Sequence, residues 1–135
     1  MEFNLSIIAL PTQNLRRAFE FYRDGLGLEL ANPRPDGGMP EPVEFRLSAG
    51  SHLMLVPSDG FAFVLGGHAA LDASAARLHE CVIGIPCATQ AELERVFSAA
   101  TQGGATPVEA PARQPWGYSA TFRDFDGHTF LLSVR

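Results

Sequence analysis

The chain has 135 residues, 46% hydrophobic and 19% charged, the balance of one globular domain with a buried core rather than of a disordered chain. A net charge of −5 and a pI near 5.2 argue against non-specific nucleic-acid binding and mildly favour neutral or cationic ligands. No apolar run approaches the roughly 18 residues that span a bilayer, and no basic residue precedes the short apolar run after Met1-Glu2-Phe3-Asn4, so neither a membrane anchor nor a secretory signal is expected.

Two cysteines, Cys81 and Cys87, do not make a disulfide framework, and reduced thiols in a cytoplasm are the simpler expectation. Residues 4–10 form a run of branched apolar residues that predicts a strand closed by Pro11. Asn14 stands at the N-cap of a helix whose apolar stripe is Leu15, Phe19, Tyr22 and Leu26, with Gly25 and Gly27 ending it. Residues 32–42 hold four prolines and two adjacent glycines and predict a mobile loop. Strands are expected over 43–47 and 52–56, joined by a four-residue connection at 48–51, with a further strand at 61–65 and a Gly- and Ala-rich loop at 66–76.

The second half starts again with a buried strand, 81–85, closed by Pro86. Thr89 and Glu92 have the spacing of a capping box, and Leu93, Val96, Phe97 and Ala100 make the helix behind it amphipathic until Gly103-Gly104. A short strand around Val108, a Pro-bearing loop at 110–115, and two strands about the Asp126-Gly127 turn complete the chain. The halves superpose. Ile8, Pro11 and Asn14 match Ile83, Pro86 and Thr89 at an offset of 75, and Phe45, Arg46, Gly50 and Leu55 match Phe122, Arg123, Gly127 and Leu132 at an offset of 77. The expected fold class is therefore α+β: two tandem βαβββ modules, residues 1–66 and 78–135, joined by 67–77.

Asn14-Leu15, Phe21-Tyr22-Arg23-Asp24-Gly25-Leu26-Gly27-Leu28, Pro115-Trp116-Gly117 and Arg123-Asp124-Phe125-Asp126-Gly127 resemble the landmarks of the vicinal oxygen chelate superfamily, which holds glyoxalase I, bleomycin-resistance proteins and extradiol dioxygenases. The resemblance spans nearly the whole chain and is specific for the fold rather than the reaction. It implies one domain of two modules whose mixed sheets curl into a cup with helices outside, and a homodimer that completes the cups. It also implies, for the metal-dependent members, a divalent ion held by one ligand on the first strand and one on the last strand of each module.

Carried over residue by residue, those four positions are Ile7, Met54, Val82 and Leu131. Three are hydrocarbons and the fourth is a soft thioether, poorly matched to Mg, Mn or Fe(II). Aligning on Gly103 instead moves Val82 to Cys81, and one thiolate among three apolar residues is still not a metal site. No metal and no other cofactor is expected. Strand alternation sends Ile8, Leu10, Leu53, Leu55, Phe130 and Leu132 to the core, and leaves Ile7, Met54, Val82 and Leu131 as an apolar floor of the cup. His52 shares the parity of Met54, Trp116 and Tyr118 offer an aromatic contact and a hydroxyl, and Phe61 and Phe63 are expected as walls. His68, His79 and His128 read as loop or strand-end residues. No nucleophile–base spacing and no phosphate-cradling glycine loop is present, so no catalytic residue is assigned.

The expected function is a metal-free binding protein of the bleomycin-resistance type, holding a small, partly apolar or aromatic organic ligand in a dimeric cup, with neither nucleic acid nor membrane as partner. The alternative is a glyoxalase-like lyase, isomerase or dioxygenase with displaced ligands such as His52, His79 or Glu80.

Overall fold

A computed structural model describes residues 5–61 and 81–134. The chain forms two compact units, Met1–Ala76 and Arg77–Arg135. In the first, β1 (Ile7–Thr12) leads through helix α1 (Leu15–Glu20) and a π turn (Phe21–Gly25) to β2 (Val43–Ser48) and β3 (Ser51–Pro57). In the second, β4 (Val82–Pro86) is followed by helix α2 (Gln90–Gln102), β5 (Thr106–Gln114), β6 (Gly117–Arg123) and β7 (Thr129–Val134). The fold is α+β, as the repeat predicts. No helix among the described residues is long and apolar enough to cross a membrane.

The duplication is visible in the strand orders, β1-β3-β2 and β4-β7-β6-β5. In each unit the first strand pairs in parallel with the last, with Ile8 opposite Leu53 and Ile83 opposite Phe130. The last strand then pairs antiparallel with the one before it. In unit 1 the counterpart of β5 is reduced to one bridge, Leu30 to Phe45, supported by the bonds from Ala31 N–H to the Glu44 carbonyl and from Arg46 N–H to the Glu29 carbonyl, 2.8 Å each. The fourth strand of that module thus falls between α1 and β2, and the prolines and glycines from Pro33 onward stop it from extending. Of the strand expected at 61–65, only Phe61 is described, and it is helical rather than extended, with its N–H on the Ser58 carbonyl; the rest lies outside the described residues.

Three other expectations need correction. Pro11 does not close its strand but lies within it, opposite Val56, with Thr12 continuing the pairing, whereas Pro86 is the last residue of β4, opposite Ser133. Both sit on the outer strand of their own sheet, where a missing N–H costs no ladder bond on the unpaired side. The connection between β2 and β3 is a two-residue turn at Ala49-Gly50, since Ser48 already pairs with Ser51, and Gly50 takes the positive φ of 85° that this tight reversal requires. Residues 110–114 are not a loop; they extend β5, whose register slips twice between Pro107 and Ala112 as its prolines interrupt the ladder.

The helix signals hold. Asn14 accepts the Arg17 N–H at 3.0 Å, and Thr89 accepts that of Glu92 at 3.1 Å. The Glu92 carboxylate reaches the N–H of Ala88, one residue ahead of the cap, at 2.7 Å. The first helix loosens at its end, where Leu26 N–H bonds the Phe21 carbonyl five residues back. In unit 1, Phe19 and Tyr22 meet Phe45 of β2 at ring separations of 6.2 and 6.1 Å over buried Val43, Leu53 and Leu55. In unit 2, Leu93 and Ala100 of α2 are buried, as are Ala120 and Leu132 and the stacked rings of Phe122 and Phe130, 5.1 Å apart. Each fully buried Leu contributes about 1.5–3 kcal/mol through its apolar area.

Candidate ligand-binding face

Among the described residues, each sheet has a face turned to its helix and a face without one. The alternation along β3 puts Leu53 and Leu55 on the helix side, both buried, and His52, Met54 and Val56 on the other. The register sets Ile7, His52 and Arg46 in one row of this helix-free face, Ala9, Met54 and Glu44 in the next, and Pro11 and Val56 in a third. On the second sheet the corresponding rows are Val82, Thr129 and Arg123, then Gly84, Leu131 and Thr121. Ile7 and Val82 are 43% and 52% exposed, far from the near-zero exposure of the helix-side residues, and Met54 and Leu131 are half-buried. Ile7, His52 and Met54 therefore share one surface of unit 1, and Val82 and Leu131 one surface of unit 2.

An open cleft with a volume of about 540 Å³ lies on unit 1. Its lining is Met54 and Val56 of the helix-free face, Glu41-Pro42 from the segment before β2, and Pro57, Asp59 and Gly60 from the turn after β3. Phe61 follows directly and is half-buried. The sequence reading missed Val56, Glu41, Pro42 and Asp59. Val56 shares the parity of Met54 and was open to the same count, whereas nothing in the pattern of residues 32–42 shows where that segment folds back.

The aromatic expectations divide. Trp116 occupies the two-residue Pro115-Trp116 turn between β5 and β6 and is 65% exposed. Tyr118 is on the helix side of β6, with Ala120 and Phe122, and its hydroxyl donates to the Glu94 carboxylate of α2 at 2.6 Å. That bond, and burial after it, raises the phenol above its ordinary value. Two-residue alternation from Phe122 gives this orientation, so Tyr118 belongs with the helix contacts rather than with the helix-free face. Phe63, His68, His79 and Glu80 lie outside the described residues.

Other reactive side chains sit apart from the cleft. Asp124, Asp126 and His128 converge in the turn between β6 and β7, their ligand atoms within 4.8 Å of one another. Asp124 is buried there, and its Oδ1 accepts the N–H groups of Asp126 and His128 at 3.1 and 2.8 Å, the bonds that shape the turn. Cys87 is half-buried, and its thiol is pushed up by burial and then by the Glu92 carboxylate, away from the thiolate form a nucleophile needs.

A fold of two tandem modules, each with a first strand parallel to its last and one helix-free face, defines a family. The chain belongs to the Glyoxalase/Bleomycin resistance protein/Dioxygenase superfamily, whose model matches residues 4–132. Among solved structures it is similar to the hypothetical protein SA1046 from S. aureus, at 23% identity and a TM-score of 0.79 over 100% of this chain and 95% of that one. It is similar also to a glyoxalase-related enzyme from Fulvimarina pelagi, at 16% identity and a TM-score of 0.80 over 98% and 88%. TioX from Micromonospora sp. ML1 matches at 19% identity and a TM-score of 0.66 over 98% of each chain. These likenesses show the fold. No curated protein sequence matches the chain significantly.

The resemblance assigns the ion-holding positions of metal-dependent members to Ile7, Met54, Val82 and Leu131, which lie on the faces of the two sheets turned away from α1 and α2. Three of these side chains have no lone pair, and a thioether is a weak donor to a hard cation. His52, beside Ile7 in the same row, offers one imidazole. This donor set does not fit the ion. What these faces present is Ile7, Met54, Val82 and Leu131 in rows shared with polar residues such as His52, Glu44, Arg46 and Thr121.

Proposed function

We propose that the chain is a metal-independent small-molecule binding protein that acts as a homodimer and holds a small, partly apolar or aromatic ligand without making or breaking a bond. Binding lowers the concentration of free ligand, and that is the whole of the activity. The observation that carries this reading is the cleft of unit 1, where a residue at a family ligand position, Met54, joins Val56, Pro42 and Pro57 in an apolar lining. Its volume, about 540 Å³, suits an organic molecule rather than an ion.

The test has two arms. Untagged protein dialysed against dilute Zn, Ni, Mn and Fe is expected to retain no stoichiometric metal by elemental mass spectrometry; about one ion per chain overturns metal independence. In the second arm, small, partly apolar molecules are screened by thermal shift, since a ligand held at 100 times its Kd stabilises the folded state by about 2.7 kcal/mol. A molecule that stabilises the wild-type protein is expected to lose most of that shift with Met54→Ala. A shift unchanged in this variant places binding elsewhere.

A further inference from the structure

We propose that the molecule held in the unit 1 cleft is an organic cation, an amine or guanidine on an apolar body, recognised by Glu41 and Asp59; this rests on the small-molecule reading above and specifies its ligand class. The cleft combines two chemistries. Met54, Val56, Pro42 and Pro57 give it an apolar wall, and the only ionisable side chains on the described lining are the two carboxylates. Both carboxylates are on exposed residues, one on each of the segments that flank the wall.

Among the described residues, neither carboxylate is committed. Two other acids of unit 1 have partners: Glu29 pairs with Arg46 at 3.7 Å and Asp36 with Arg34 at 2.9 Å. Among the described residues, Glu41 and Asp59 take part in no hydrogen bond or ion pair. Glu44 adds a third carboxylate on the same face, in the row of Met54. An anion entering this cleft would meet like charge on both flanks, and a neutral molecule would use only the wall. A cation with an apolar body uses both, and the chain's net charge of −5 brings it in.

The probes are three molecules with one apolar body: 4-phenylbutylamine, 4-phenylbutanol and 5-phenylpentanoate, positive, neutral and negative at pH 7. Their affinities for the full-length protein are measured by calorimetry at low salt. The amine is expected to bind roughly tenfold more tightly than the alcohol, the product of two exposed charge contacts each worth a factor of a few, and the carboxylate more weakly than either. The preference is expected to shrink at high salt, as screening shortens the reach of the two charges.

In Glu41→Gln/Asp59→Asn, the amine is expected to fall to the affinity of the alcohol while the alcohol is unchanged, which also reports that the variant is folded. If amine and alcohol bind alike and both lose affinity with Met54→Ala, the assignment to cations is overturned and the binding reading stands. If the amine preference survives in the double variant, Glu41 and Asp59 are not its source and the inference fails. If none of the three binds, both the inference and the binding role of the cleft fail.

Discussion

The Tyr118 hydroxyl donates to Glu94 across 2.6 Å, tying β6 to α2 on the helix side of the second sheet. A carboxylate that accepts from the phenol favours its neutral form, which is why the phenol titrates above its ordinary value. The sign follows. A raised folded value means that the stability from this bond is fully present below about pH 10 and is lost as pH rises through the folded value. Glu94→Gln is expected to bring the phenol back toward its ordinary value in a phenolate-absorbance titration, with Tyr118→Phe assigning the signal against Tyr22. An unchanged titration would mean that the bond does not persist in solution. Asp124 gives a second case at this scale, because its buried carboxylate accepts two turn N–H groups. Asp124→Ala leaves both donors without that partner and is expected to cost about 1–3 kcal/mol in urea unfolding, while Asp124→Asn, which keeps an acceptor oxygen, costs less.

At the level of elements, the helix starts were legible because a cap is a local device. Asn14 and Thr89 each bond an N–H three residues on, so the chemistry and the sequence spacing are the same fact. Thr89→Ala is expected to lower stability by about 1 kcal/mol, and Thr89→Ser to restore it, measured as a shift in urea midpoint without a change in slope. Strand ends were less legible. Pro86 ends β4 as its position suggests, but Pro11 does not end β1: a proline stops a strand only where its N–H is needed, and that depends on which side of the strand has a neighbour. The pairing order decides this, and no local pattern contains it. The fourth strand of unit 1 was misplaced for a related reason: Leu30 makes a single bridge, too short to leave an alternating pattern, while residues 61–65 carried a pattern without a known partner.

For the molecule as a whole, the repeat carried most of the fold, because two offsets placed Phe45 on Phe122 and Gly50 on Gly127, and the two sheets do share one pairing scheme. Parity then separated the faces. Leu55 and Leu132 turn to the helices and are buried, while Ile7 and Val82 turn away and are exposed. The cleft was legible only in part: Met54 was found by its position on a strand, but Glu41 and Asp59 reach it from loops whose course depends on tertiary contacts. The division of faces has a direct thermodynamic consequence. If the helix-free surfaces serve binding, their apolar residues are free of the packing that makes core truncation costly. Leu55→Ala and Leu132→Ala are therefore expected to lose about 2–5 kcal/mol each. Ile7→Ser and Val82→Ser are expected to stay within roughly 0.5 kcal/mol of the wild-type protein. Equal losses on both faces in urea titrations would show that the helix-free side is closed core, and a protein built that way has no surface left on which to hold a ligand.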